Sequence, residues 1–197
     1  MSEWSSYGLS DFLLFSPETY WRLVERHNRE VWPFHLLMVA AGATMARGGL
    51  AAKGLAGRAA LGVLAALWLW VGWSFHWQRY AKINWAAEYL AAAFALQSVL
   101  LAAATLRPRD PGQPTGLGRI IGWVLAATGV LAYPVFAVVA GRPWSQAEVF
   151  GIMPEPTALA TLGLLLLTRQ RHWVGLSIIP SLSLLVGLAT AWLVRAN

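Results

Sequence analysis

The chain has 197 residues, 57% of them hydrophobic and only 12% charged, where soluble domains carry roughly 25% charged residues. Its net charge of +6 does not mark a nucleic-acid-binding surface, because the basic residues sit at the ends of apolar runs, where solvated flanks and anionic lipid account for them. The absence of cysteine excludes disulfides, thiolate metal sites and covalent haem attachment.

The first residues, MSEWSSYGLSDF, lack a basic region followed by an apolar core, so no cleavable signal peptide is expected. Ser16-Pro17-Glu18-Thr19 then reads as a helix opening, with serine as the cap and proline at the first position. From there to Glu30 the charges fall on one helical face, while Tyr20, Leu23, Val24, His27 and Val31 fill the other. Glu18/Arg22, Glu25/Arg29 and Arg26/Glu30 are spaced to pair. Such a helix lies on a membrane surface or docks on a partner. Residues 1–32 are accordingly read as an N-terminal segment with an amphipathic helix, and residues 33–197 as a transmembrane domain.

Six spans are predicted. They are Pro33–Met45, Ala59–Trp77, Ile83–Leu106, Leu117–Ala140 with Pro134 inside it, Phe150–Leu167, and Trp173–Val194 interrupted by Pro180. The glycine- and alanine-rich interval with Arg47, Lys53 and Arg58, and the stretch Arg107–Gly116, read as turns. Gly57-Arg58 and Gly118-Arg119 open similar segments, consistent with either a duplicated hairpin or chance likeness among alanine- and leucine-rich spans. The fold expected is therefore an all-α membrane protein of six transmembrane helices preceded by an amphipathic interfacial helix. Location in a cell's inner (plasma) membrane follows. Setting aside the arginines of the first helix, more Lys and Arg fall on the side away from the termini, which puts the termini outside the cytoplasm.

The fifth span carries the chemistry. Pro154, Glu155 and Pro156 stand side by side, so helix is disfavoured around Met153–Glu155, and Thr157–Thr168 forms the uninterrupted part. Free backbone groups at membrane depth need protein or water as partners, and an ionisable residue at such a break often marks a site. Plotted by depth, His35, His76, Glu88, Tyr133 and Glu155 share the half-membrane facing the termini. With Asn84, Pro154 and Pro156, the residues Glu88, Glu155, His76 and Tyr133 form the candidate site for a small ion or molecule. Plainer roles stand beside that one: helix capping for Glu155, pairing with Arg79 or Lys82 for Glu88, interfacial hydrogen bonding for the histidines, and packing for Gln97 and Ser98. A metal or haem at His35, His76 and Glu155 is a further reading, since imidazole and carboxylate suit zinc, copper(II) or iron. An accessory subunit docking on other membrane proteins is another. No nucleophile–base pair or phosphate loop indicates an enzyme.

The segments SDFLLFSPETYWRLVERHNREVWP, FHWQRYAKINWAAEYLAAAFALQ, Tyr133-Pro134 and FGIMPEPTALATLGLLLL resemble a bacterial membrane family, domain-of-unknown-function family 6064. The likeness covers nearly the whole chain and implies the architecture above, with the site at the broken span. Family members carry cysteine between the two prolines, which implies soft-metal transport. Glu155 removes that thiolate here. They also read INPAA where this chain has Ile83-Asn84-Trp85-Ala86-Ala87.

Overall fold

The computed structural model describes residues 15–49, 54–106, 116–168 and 173–196. The first fourteen residues, Lys53, most of the 107–116 turn, and Arg169 and Arg171 lie outside the described residues. Eight α-helices and no strands occur among those described: α1 Pro17–Glu30, α2 Phe34–Thr44, α3 Gly54–Val71, α4 Ala87–Thr105, α5 Gly116–Ala127, α6 Val135–Val139, α7 Pro154–Thr168 and α8 Trp173–Ala196.

Among the described residues three helical stretches are long and apolar enough to cross a membrane: Leu55–Lys82, Ala87–Thr105 and Trp173–Leu193. Gly116–Ala132 and Pro154–Leu167 are apolar but shorter, and α2 has only 11 residues. The expected first, fourth and fifth spans are thus short or composite rather than single long rods. Outward faces are apolar nonetheless, with Leu37, Val99, Ile120, Val124, Leu182 and Leu185 exposed, as suits contact with lipid.

α1 has the predicted cap, the Ser16 hydroxyl accepting from Thr19 N–H, and two of the three expected ion pairs form, Arg26–Glu30 and Arg29–Glu25. Its apolar face does not lie on lipid. Val24 and His27 are wholly buried and Tyr20 and Val31 nearly so, because this face docks on the protein's own chain.

Prolines inside the helices are handled individually. α8 runs through Pro180 without interruption, contrary to expectation. A proline at 180 leaves the Leu176 carbonyl without its usual helical donor, and the Gln97 side-chain amide of α4 replaces it, Nε2 donating to Leu176 O at 2.8 Å. Pro134 is accommodated by a π-helical turn, Thr128–Ala132, with Tyr133 N–H reaching back to Thr128 O at 2.7 Å. A second π-helical turn, Gly72–Trp77, follows α3 and carries His76. Such turns rotate the side chains after them off the helical register and are frequent at functional sites.

α5 and the π-helical turn after it approach α7 closely. A Cβ on Gly129 would lie 2.5 Å from Ala160 N and 2.7 Å from Pro156 O, and one on Gly163 would lie 2.7 Å from Gly122 O. Small residues set this distance, as they do where helices pack without a hydrophobic drive from water. The same layer holds Trp68 Nε1–H on Thr161 Oγ1 at 3.0 Å. Gly163→Val is expected to destabilise the protein by about 1–3 kcal/mol, the usual cost of overpacking, whereas Gly62→Ala, with open space at its Cβ position, is expected to leave the midpoint unchanged or slightly raised. Thermal unfolding in mild detergent measures both.

Candidate functional site

The connection between α6 and α7 runs from an exposed turn through a short 3-10 turn, Trp144–Gln146, into the buried, non-helical stretch 147–153, whose backbone groups need named partners. Asn28 of α1 donates to Ser145 O at 2.9 Å and Ala147 O at 2.8 Å. With both amide hydrogens committed, its Oδ1 accepts from His35 Nε2 at 3.2 Å. Arg142 donates to Gln146 O, and Ile152 and Met153 N–H both reach Val149 O. His27 Nε2 donates to Ile152 O at 3.3 Å. Gly151 turns the chain at φ 72°, and a Cβ there would lie 2.8 Å from Met38 Sδ. Thr157 then closes the turn, accepting from Gly151 N–H at 2.8 Å and donating to Met153 O at 2.6 Å.

α7 begins at Pro154, so the helix starts earlier than expected and Glu155 belongs to its first turn. Prolines are tolerated there because first-turn N–H groups have no intrahelical acceptor. Glu155 points toward α8. A Cβ on Gly187 would lie 2.5 Å from its Cγ and Oε1, so glycine at 187 makes the room the carboxyl occupies. Its Oε2 is enclosed and has no hydrogen-bond partner.

Two spaces meet at Glu155. The larger, about 470 Å³, lies between α1, the α6–α7 connection and α8, and is lined by Tyr20, Trp21, Tyr133, Phe136, Glu148 and Trp192 among others. The smaller, about 20 Å³, is bounded by Glu155, His76, Tyr80 and Pro154, which is the size of a single water site. At the rim of the larger space the Arg142 guanidinium lies 3.6 Å from the centre of the Trp21 ring and 3.4 Å from Glu148 Oε2. A third space, about 650 Å³, opens beside Arg22, Arg26, Arg79 and Lys82. Its acid, Glu30, is already paired with Arg26 and Arg79.

The structure gathers Glu155, Pro154, His76 and Tyr133 around these two spaces. His76 is buried with both ring nitrogens unpartnered, its ring edge-on to Phe94 at 4.7 Å. Asn84 stands one step behind, donating to the Tyr80 hydroxyl at 3.1 Å and accepting from Ala86 N–H. Pro156 is buried against Gly129. Glu88 is exposed at the start of α4 and borders neither space, and Arg79, its suggested partner, binds Glu30. His35 bonds Asn28, away from His76. Among the described residues no three His, Cys, Asp or Glu side chains converge to hold a metal ion, and the space beside His76 is far too small for haem. Glu148, Arg142, Trp21, Gly187 and the His27–Asn28 pair were not expected at the site. The one signal for the last pair was the placement of His27 on the apolar face of α1.

A family model described as a family of unknown function (DUF6064) matches residues 17–197. The chain belongs to that family. No curated protein and no solved structure matches the chain.

Burial, followed by the charge of Arg79, lowers the His27 imidazole from 6.5 to about 4. The unfolded chain therefore binds more protons than the folded one between those values, so this contribution is complete above about pH 6.5 and is lost as pH falls toward 4. The loss is up to about 3 kcal/mol at about 1.4 kcal/mol per unit. Unfolding midpoints measured across this range are expected to fall less steeply in His27→Gln, which keeps an amide donor for Ile152 O without a titrating ring.

Proposed function

We propose that this protein is a multi-pass membrane protein that binds a small ion or molecule in the cavity beside Glu155 and admits it from the side of the termini. In this reading the chain crosses an inner (plasma) membrane six times, with the termini outside the cytoplasm. α5, the π-helical turn and α6 act together as one crossing, and the α6–α7 connection with α7 acts as another. From Gly116 to Val139 the composite is about 36 Å long at about 1.5 Å per residue, enough for the hydrocarbon layer.

The observation that carries the proposal is the state of Glu155: an enclosed carboxyl oxygen without a hydrogen-bond partner, on the wall of a cavity large enough for a small solute. Buried acids without compensation are costly, and in membrane proteins they mark binding and passage sites. Non-helical backbone at depth is tolerated where it is buried in protein or lines a cavity, which is the setting of the α6–α7 connection.

A cysteine-free chain lends itself to a direct test. In sealed vesicles a membrane-impermeant maleimide is expected to label Ser16→Cys and Ala191→Cys from one side, and Arg47→Cys only after permeabilisation. Sodium chloride, sodium acetate and tetramethylammonium chloride serve as probe solutes. At least one is expected to raise the unfolding temperature of the wild type but not of Glu155→Gln, with a reduced shift for Gly187→Ala and an unchanged shift for Glu88→Gln. Labelling of residues 16 and 47 from the same side would remove the six-crossing arrangement, and indifference to all three solutes would remove the binding site.

A further inference from the structure

Resting on the reading of the Glu155 cavity as a ligand site, we propose that the site selects an organic monocation bearing an ammonium or methylated ammonium group. Three independent features of the cavity converge on that chemistry.

The first is size. At about 470 Å³ the space falls in the range of small-molecule pockets, roughly 300–1,000 Å³, whereas a bare inorganic cation needs little more than the neighbouring space of about 20 Å³. The second is the wall. Tyr20, Trp21, Tyr133, Phe136 and Trp192 contribute five aromatic rings to one cavity, and aromatic faces attract cations, most strongly when water is excluded. The third is the balance of charge. Arg142, the basic residue on the wall, is already engaged by Glu148 at 3.4 Å, by Gln146 O at 3.1 Å and by the face of Trp21 at 3.6 Å. An anionic ligand would have to displace those contacts. Among the described residues Glu155 has no basic partner within ion-pair distance, and its Oε2 has no hydrogen bond, so a cation finds a carboxyl oxygen that no other side chain engages.

The protein contains an internal precedent for this recognition. Arg142 and Trp21 are a cation stacked on a ring at the rim of the same cavity, with a carboxylate, Glu148, closing the arrangement. Glu155 with the rings of Tyr133 and Trp192 offers a second carboxylate and aromatic wall on the same cavity. The ammonium group can belong to a free solute or to a lipid headgroup, since Phe136, Leu188 and Trp192 are exposed on the outer side. The recognition chemistry is the same for both.

The test uses Ala191→Cys, on the cavity wall, in the full-length protein in nanodiscs. It is reacted with trimethylammonioethyl methanethiosulfonate, which is cationic, and with sulfonatoethyl methanethiosulfonate, which is anionic, and the ratio of rates is compared with that for free cysteine. The cationic reagent is expected to be favoured at least tenfold beyond the free-cysteine ratio, and tetramethylammonium chloride is expected to protect. Glu155→Gln should abolish most of the preference. Trp192→Leu, at an exposed residue, should reduce it about threefold. Lipid extracted from purified protein separates the two sources. Phosphatidylethanolamine displaced by tetramethylammonium from the wild type but not from Glu155→Gln assigns the ammonium to a headgroup, and protection without lipid loss assigns it to a free solute. Rapid reaction of both reagents at the free-cysteine ratio overturns the cation class while leaving an accessible cavity. No reaction with either reagent overturns the cavity reading and this inference together.

Discussion

The His27–Ile152 hydrogen bond is the contact on which the rest of the arrangement depends. In a continuous helix the carbonyl of residue 152 would accept from the N–H of residue 156, but residue 156 is proline and has none. His27 supplies the missing donor from a different helix. The two hydrogen bonds of Asn28 to Ser145 and Ala147 extend the same logic upstream, and Thr157 closes the downstream end. A break in a buried segment is stable only when every such group has a partner. α1 is therefore the clamp that allows the chain to change direction before α7.

That change of direction has a chemical consequence. Starting α7 at Pro154 places Glu155 in its first turn, aimed at the notch left by Gly187. The π-helical turn before Tyr133 and the one containing His76 bring those side chains to the same region. The π-helical turns Gly72–Trp77 and Thr128–Ala132 and the start of α7 thus fall beside the two spaces that share Glu155, whereas a further π-helical stretch, Met45–Gly49, lies away from them. Elsewhere regularity is kept even at cost: Gln97 repairs the gap left by Pro180, and α8 continues straight through it.

Local chemistry in the sequence carried much of this. The cap at Ser16 and the charged and apolar faces of α1 are legible from residue type and spacing, while the start of α7 falls three residues before the expected Thr157, at Pro154. Effects that depend on partners distant in sequence were not. Pro180 reads as an interruption unless Gln97, on another helix, is known to face Leu176. α1 reads as lying on lipid because an amphipathic face does not reveal whether bilayer or protein covers it, and its buried surface turned out to face its own chain. Glu88, expected at the depth of Glu155, projects outward, since depth along a helix does not fix rotation about its axis. Gly187 offered no signal, because its role is the absence of a side chain opposite an acid on another helix.

Hydrogen–deuterium exchange of the connection 147–153, followed by mass spectrometry, tests the clamp most directly. Losing the two Asn28 hydrogen bonds, each worth about 1 kcal/mol net, should raise local opening substantially. These amides are expected to be protected in the wild type and to exchange at least tenfold faster in Asn28→Ala, while the amides of α4 are unchanged. Fast exchange in the wild type, or identical protection in the variant, would contradict the account.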